Sequence, residues 1–246
     1  MKWRSGIKHD CSKVMELQRN AATYRNGLGE VVEIEDDCLY PMLKSSDVAQ
    51  GRTAGGKRWM LVPQKTMSDD TAKLQTVAPR TWAYLQNHAA DLNRRASSIY
   101  LGRPPFSVFG VGEYSFASWK VAISGFYKKL SFVVVGPFES KPTVLDDTVY
   151  FLSFETQRHA DYVNWLLNSS VAQEFFGAFV FWDSKRPITV ELLRRLDLRR
   201  LAQELGSEVD WKKLFGKLKA QSRRSKRNDQ QLQLWPLATP AHNSSE

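Results

Sequence analysis

The sequence predicts an α+β fold: a twisted, mainly antiparallel sheet with helices packed against it, followed by a basic C-terminal tail. Three observations carry this. β-branched and aromatic runs punctuated by glycine recur from the 30s to about residue 150. A stretch without Gly or Pro, with apolar residues at helical intervals, interrupts them at 81–96. Helical spacing then takes over from residue 156. At 246 residues, 42% hydrophobic and 12% aromatic, the chain can bury a real core, which excludes disorder and a disulfide-stapled mini-domain.

Val31, Val32 and Ile34 follow the Asn26-Gly27 turn, so 29–43 reads as a strand or hairpin arm, and 59–63 as another strand. The helix at 81–96 starts after Pro79 and aligns Trp82, Leu85, Ala89 and Leu92; Arg94-Arg95 suit its C-terminal dipole. Phe106 to Val111, Val121 to Ile123 and Phe132 to Val135 are strand candidates separated by Gly110, Gly112, Gly125 and Gly136. Val149 to Leu152 centre a further strand over 146–154. Helices are expected at 156–167 and 171–181, broken at Asn168-Ser169-Ser170, and at 189–205 with Thr189 as N-cap. A last amphipathic helix at 207–219 aligns Trp211, Leu214, Phe215 and Leu218. The expected division is a domain at 1–205, an amphipathic helix at 206–220 and a disordered basic, polar tail at 221–246.

Thirty-five Lys and Arg against twenty-six Asp and Glu give a net charge of +9, which favours a polyanionic partner. The excess is regional: residues 183–227 hold fourteen cations against six acids, while Glu30, Glu33, Glu35, Asp36 and Asp37 form an acidic patch. No run approaches the roughly 18 apolar residues of a spanning helix, and Lys2, Arg4, Lys8 and Asp10 are followed by no secretory apolar region. The expected location is therefore cytoplasmic, with no membrane partner. Cys11 and Cys38 have neither metal-ligand spacing nor an oxidising context and read as structural thiols, so no metal site is expected.

A catalytic signature is not evident. Gly51 to Arg58 approaches a phosphate-binding loop but has Arg58 where a magnesium-binding hydroxyl belongs, and reads as a solvated basic loop. His9, His88, His159 and His242 lack partners at triad spacing. Glu139-Ser140-Lys141 has the form of a nuclease metal site, with Asp146 or Asp147 as further ligands, but its Gly-Pro flanks favour a turn. Arg103-Pro104-Pro105-Phe106 is a near miss to a base-binding tetrapeptide, since arginine carries only donors. What remains is basic residues interleaved with aromatics over 80–130, a pattern suited to phosphates and base edges.

Several phrases, in order, resemble one family: Trp3 to Asp10, Tyr40-Pro41-Met42-Leu43-Lys44-Ser45-Ser46-Asp47, Ala78 to Leu85, Arg94 to Tyr100, Phe109 to Phe116, Trp119 to Gly125, Leu166 to Ser169 and Phe181 to Thr189. Over about 1–205 the chain resembles the C-terminal target-recognition half of adenine-N6 DNA methyltransferases of restriction-modification systems. The resemblance implies a target-recognition-domain-like fold that binds double-stranded DNA. It also implies S-adenosylmethionine and methyl transfer in a catalytic partner domain or subunit. No cofactor is expected in this chain, because the cofactor loop and Asn/Asp-Pro-Pro-aromatic element of the family are missing from it.

The candidate DNA-binding residues are Lys44, Ser46, Asp47, Arg80, Tyr114, Lys120, Lys185 and Arg186. Lys120, Lys185 and Arg186 are expected on phosphates; Ser46, Asp47 and Tyr114 are expected to read bases or orient the readers. Three alternatives stand beside this reading. One is a specificity subunit of a multi-subunit restriction enzyme, whose turn resembles Lys44-Ser45-Ser46-Asp47. The second is a metal-dependent restriction endonuclease using Glu139 and Lys141, and the third an assembly subunit docking through its 207–219 helix.

Overall fold

A computed structural model describes residues 1–216. Met1–Leu198 forms one compact unit and a second begins at Arg199. The strands are β1 (Arg4–Ser5), β2 (Glu16–Asn20), β3 (Thr23–Arg25), β4 (Val31–Val32), β5 (Leu39–Leu43), β6 (Arg58–Leu61), β7 (Trp119–Ser124), β8 (Val133–Val135), β9 (Val144–Leu145) and β10 (Val149–Phe154). The helices are α1 (Ser12–Met15), α2 (Ser45–Ala49), α3 (Leu74–Val77), α4 (Pro79–Asn87), α5 (Ala89–Asn93), α6 (Gln157–Leu167), α7 (Ser170–Gly177), α8 (Val190–Arg194) and α9 (Leu198–Glu204).

The α+β class and the mainly antiparallel pairing are as the sequence predicts, but there are two sheets rather than one. The first has the order β1-β10-β7-β8 and the second β4-β3-β2-β6-β5-β9, with β5 and β9 the parallel pair. Residues 144–154 stitch the two together: β9 lies along β5 in the second sheet, and after Asp146-Asp147 the chain enters β10 in the first. The N-terminal segment is threaded into this junction. Gly6 donates to the Val149 carbonyl at 3.0 Å and Ile7 to that of Leu145 at 2.7 Å. A Cβ on Gly6 would lie 2.1 Å from the Asp146 carbonyl oxygen, so only glycine permits the approach.

The larger core cluster joins Met15 of α1 to Leu17 of β2 and Trp59, Met60 and Leu61 of β6, and a second joins Leu43, Val48, Ala122, Leu145 and Phe151. Each fully buried Leu or Met of this kind contributes roughly 1.5–3 kcal/mol.

Three helix expectations are corrected. The run at 81–96 divides into α4 and α5 at His88, whose backbone leaves the helical region (ψ 15°) while its ring bonds the Tyr84 carbonyl and Glu30. The run at 189–205 divides into α8 and α9. The helix expected at 171–181 stops at Gly177. Thr189 does cap α8, accepting from the Leu192 amide at 3.2 Å. Residues 106–111 form no strand, only an isolated bridge between Lys8 and Phe109. In the second unit, residues 208–216 are helical, the Trp211 and Phe215 rings lie 4.7 Å apart, and Arg199 and Lys212 both reach Glu208. Leu218 and the expected tail at 221–246 lie outside the described residues.

Glu35 holds the start of α4 from outside the helix. Its carboxylate accepts from the amides of Arg80 (3.0 Å) and Thr81 (2.7 Å) and from the Thr81 hydroxyl (2.6 Å). Burial opposes its ionisation, but the bonds from Thr81 and Arg80 outweigh burial and bring its pKa down to about 2. A depressed carboxylate stabilises the fold above its unfolded pKa, and that stability is lost as pH falls from about 4.5 towards 2. Glu35→Gln, which keeps an acceptor but not the charge, is expected to lower stability at pH 7 by about 1–2 kcal/mol. The gap should close in denaturation measured near pH 2.

Candidate nucleic-acid interface

β2 and β6 pair with Gln18 directly opposite Arg58, so both side chains stand on one face of the sheet. The chain from α2 to β6 passes over that face as the loop 51–57. Loop and sheet enclose an open cleft of about 650 Å³ whose polar lining is Gln18, Arg19, Asp47, Arg52, Lys57 and Arg58. An adjoining hollow of about 310 Å³ shares Gln18 and Arg58 and adds Lys13, Glu16, Asn26 and Lys44.

The loop is a fixed wall. The buried Trp59 indole donates to the Gly56 carbonyl at 3.1 Å, the Gly136 amide to Thr53 at 3.0 Å and the Arg19 amide to Lys57 at 2.9 Å. Gly55 presses on β5 so closely that a Cβ there would sit 2.7 Å from Pro41.

Two acids set the cations of the cleft. Asp47 accepts from Arg52 Nη1 at 2.6 Å, Arg58 Nη1 at 2.8 Å and the Lys44 amide at 2.9 Å. Glu16 lies 2.6 Å from Lys44 Nζ and 3.9 Å from Arg58 Nε, with His9 Nε2 at 3.3 Å on its other side. Burial disfavours the Glu16 carboxylate, yet His9 and Lys44 more than compensate and lower its pKa. Depth separates the two signs: the side chains of Asp47 and Glu16 are 5% and 13% exposed, those of Arg58 and Arg52 34% and 58%. The acids stand behind and the cations face solvent. Lys57, at the loop end, is exposed, and no acid among the described residues pairs with it. Arg19 is held by Glu139 and lies 5.4 Å over the Trp59 ring.

Of the residues singled out in the sequence, the structure brings Asp47 to this cleft and Lys44 to the hollow beside it, with Ser46 half-buried on α2 between them. The others lie elsewhere. Lys120 is a correction: it is 1% exposed within β7, its ammonium donates to the Ala117 carbonyl at 2.6 Å, and it has no path to a phosphate. Tyr114 is engaged on both counts that would make it a reader, its hydroxyl donating to Gly110 at 2.9 Å and its ring lying 4.2 Å under Arg4. Arg80 is exposed beside Glu35 at the start of α4. Lys185 and Arg186 are exposed, and Arg186 stacks 4.5 Å over Phe126 with Asp147 at 4.0 Å.

The residues of the nuclease alternative are engaged separately. Glu139 and Ser140 form the tip of a tight hairpin turn at φ 47° and 63°, closed by paired Phe138 and Lys141. Glu139 reaches Arg19, Lys141 lies 2.7 Å from Asp36, and Asp146 accepts from Thr148.

Sequence reading missed Gln18, Arg19, Arg52, Lys57 and Arg58. The signal was present in Gly51 to Arg58, whose glycines and cations were assigned to a solvated loop. Its anchors, Trp59 and the Gly136 strand end, are distant or apolar, so nothing local shows that the loop is fixed.

No protein-family profile matches the chain. The Type II methyltransferase M.NspV of Nostoc sp. (strain ATCC 29411 / PCC 7524) is 52% identical over 203 residues, which is 82% of this chain. The chain is related to part of a Type II methyltransferase. The match spans 42% of that relative's length, so the chain corresponds to less than half of it. The resemblance to restriction-modification methyltransferases read from the sequence phrases is thereby borne out. Among solved structures, the Type IIL restriction-modification enzyme MmeI in complex with DNA aligns with a TM-score of 0.44 at 9% identity. That alignment covers 73% of this chain and 21% of MmeI, a likeness too slight to speak to chemistry. Among the described residues no helix is long and apolar enough to cross a membrane.

Proposed function

We propose that this chain is the DNA-binding target-recognition part of an adenine-N6 DNA methyltransferase of a restriction-modification system, acting in the cytoplasm. Methyl transfer and the S-adenosylmethionine site then belong to a catalytic domain or subunit joined to it. The observation that carries the reading is the cleft, with cations in front and their acids behind. Arg52, Lys57 and Arg58 line the cleft and Lys44 the hollow beside it, backed by a fixed loop and sheet. A duplex meets such a surface first through its phosphates, which release counterions on neutralisation. The kinship to a Type II methyltransferase supports the same assignment.

The cleft does not suit S-adenosylmethionine. A nucleoside's ribose hydroxyls call for a free carboxylate, and both acids here are already committed to cations. No step of methyl transfer is therefore assigned to these residues.

Duplex affinity should fall steeply with salt. If Arg52, Lys57 and Lys44 each meet a phosphate, log affinity against log salt has a slope of about −3. The check is a fluorescence-anisotropy titration of a labelled duplex across a salt series. A slope near zero rejects the DNA reading.

A further inference from the structure

Within this cleft two residues, Gln18 and Arg58, stand side by side across the β2–β6 ladder. Each is on a paired strand, and they are the side chains common to both hollows. Arg58 opens β6 immediately before the fully buried Trp59, so its backbone is locked into the core. Its guanidinium is anchored on one side: Nη1 donates to Asp47 at 2.8 Å and Nε stands 3.9 Å from Glu16, while Nη2 has no protein partner among the described residues. Asp47 is itself pinned by the Lys44 amide. Lys57 is the opposite case, an exposed ammonium on the loop without an acid partner among the described residues.

The difference bears on what each can recognise. A phosphate is a diffuse target that a mobile ammonium meets from many directions, whereas a base edge offers donors and acceptors at fixed spacing. Reading an edge needs side chains set before the ligand arrives, on rigid elements with a supporting layer behind them. Arginine offers a donor fork matching the O6 and N7 acceptors of guanine, and glutamine a donor and an acceptor matching the N6 and N7 of adenine.

We infer that Arg58 and Gln18 read base edges in this cleft, with Asp47 and Glu16 as the positioning residues that fix the Arg58 fork, and that Lys57 meets phosphate. The inference rests on the DNA reading above and assigns the sequence-discriminating share of it to two adjacent positions of the β2–β6 ladder.

The test uses the chain as it stands, equilibrated with a pool of duplexes randomised over one helical turn, followed by sequencing of the bound fraction and a salt series on the same pool. The wild type is expected to enrich a motif. Arg58→Lys keeps the charge and loses the planar fork. It should lose preference at one or two positions of the motif by about 5- to 100-fold, with the salt slope unchanged. Gln18→Ala should lose preference at a neighbouring position. Lys57→Ala should keep the motif, weaken every duplex evenly and reduce the salt slope by about one. The inference is overturned if Arg58→Lys and Gln18→Ala, melting as the wild type does, enrich the unchanged motif, or if the wild type binds duplex without enriching any. Absence of duplex binding by the wild type, or a flat salt slope, is the separate failure of the DNA reading. Gln18 is an exposed side chain, so its variant keeps the test open should Arg58→Lys not fold.

Discussion

Asp47→Ala is expected to lower stability by about 3 kcal/mol, the largest effect expected among the polar residues that line the cleft. The carboxylate is 5% exposed and takes three donors: Arg52, Arg58 and the Lys44 amide that begins α2. Removing one partner of a buried ion pair costs about 3–5 kcal/mol when the other is left stranded. Here the arginines are 34% and 58% exposed and can turn to water, which places the effect at the low end. Loss of the bond to the Lys44 amide accounts for about 1 kcal/mol of this. Asp47→Asn retains an acceptor for that amide and should recover about that much. Denaturant unfolding of the three proteins checks the order, and an alanine variant within about 0.5 kcal/mol of wild type would contradict it.

The same substitution separates holding from binding. It removes a negative charge from behind the cleft, so affinity for an arbitrary duplex at low salt should rise as stability falls. A residue that itself bonded DNA would show both quantities falling together. Sequence preference, in contrast, should weaken, because the Arg58 fork is no longer fixed.

What the sequence made legible follows from how each element is stabilised. β7, β8 and β10 announce themselves through unbroken β-branched and aromatic runs because their packing is local to the strand. β2 and β3 escaped notice: Glu16 to Asn20 and Thr23 to Arg25 are mostly polar, and what makes them strands is pairing with each other and with β6. Lys44 and Asp47 were found through a local phrase, but the partners that give Asp47 its role, Arg52 and Arg58, lie beyond it in a loop whose rigidity comes from Trp59 and Gly136. Lys120 was misplaced for a reason the sequence did contain. Val121-Ala122-Ile123 beside it shows no alternation, the pattern of a strand covered on both faces, where even a cation is buried.

Lys120 carries the second large expectation. β7 lies between β10 and β8, and the ammonium is enclosed with the Ala117 carbonyl as its bonding partner. Burial alone disfavours its charged form and brings the pKa down to about 7. The unfolded chain holds this proton up to about pH 10.5, so between those limits the unfolded state binds more protons than the folded one. Stability therefore rises with pH across that window. The penalty is at its full size below pH 7 and vanishes above about 10.5, with a limiting slope of about 1 kcal/mol per pH unit. Lys120→Met keeps the length of the side chain and removes the charge, leaving the Ala117 carbonyl without its donor at a cost of about 1–2 kcal/mol. The net expectation is a gain of about 2–3 kcal/mol at pH 7, shrinking to nothing or reversing by pH 10. Because other groups titrate alkaline, the informative quantity is the difference in melting temperature between variant and wild type. It should be about 4–10 °C at pH 7 and should decline steadily towards pH 10. A difference that does not change with pH would mean that Lys120 is not buried as a charge-sensitive amine. Duplex binding should be the same in both proteins, since the ammonium has no route to the surface.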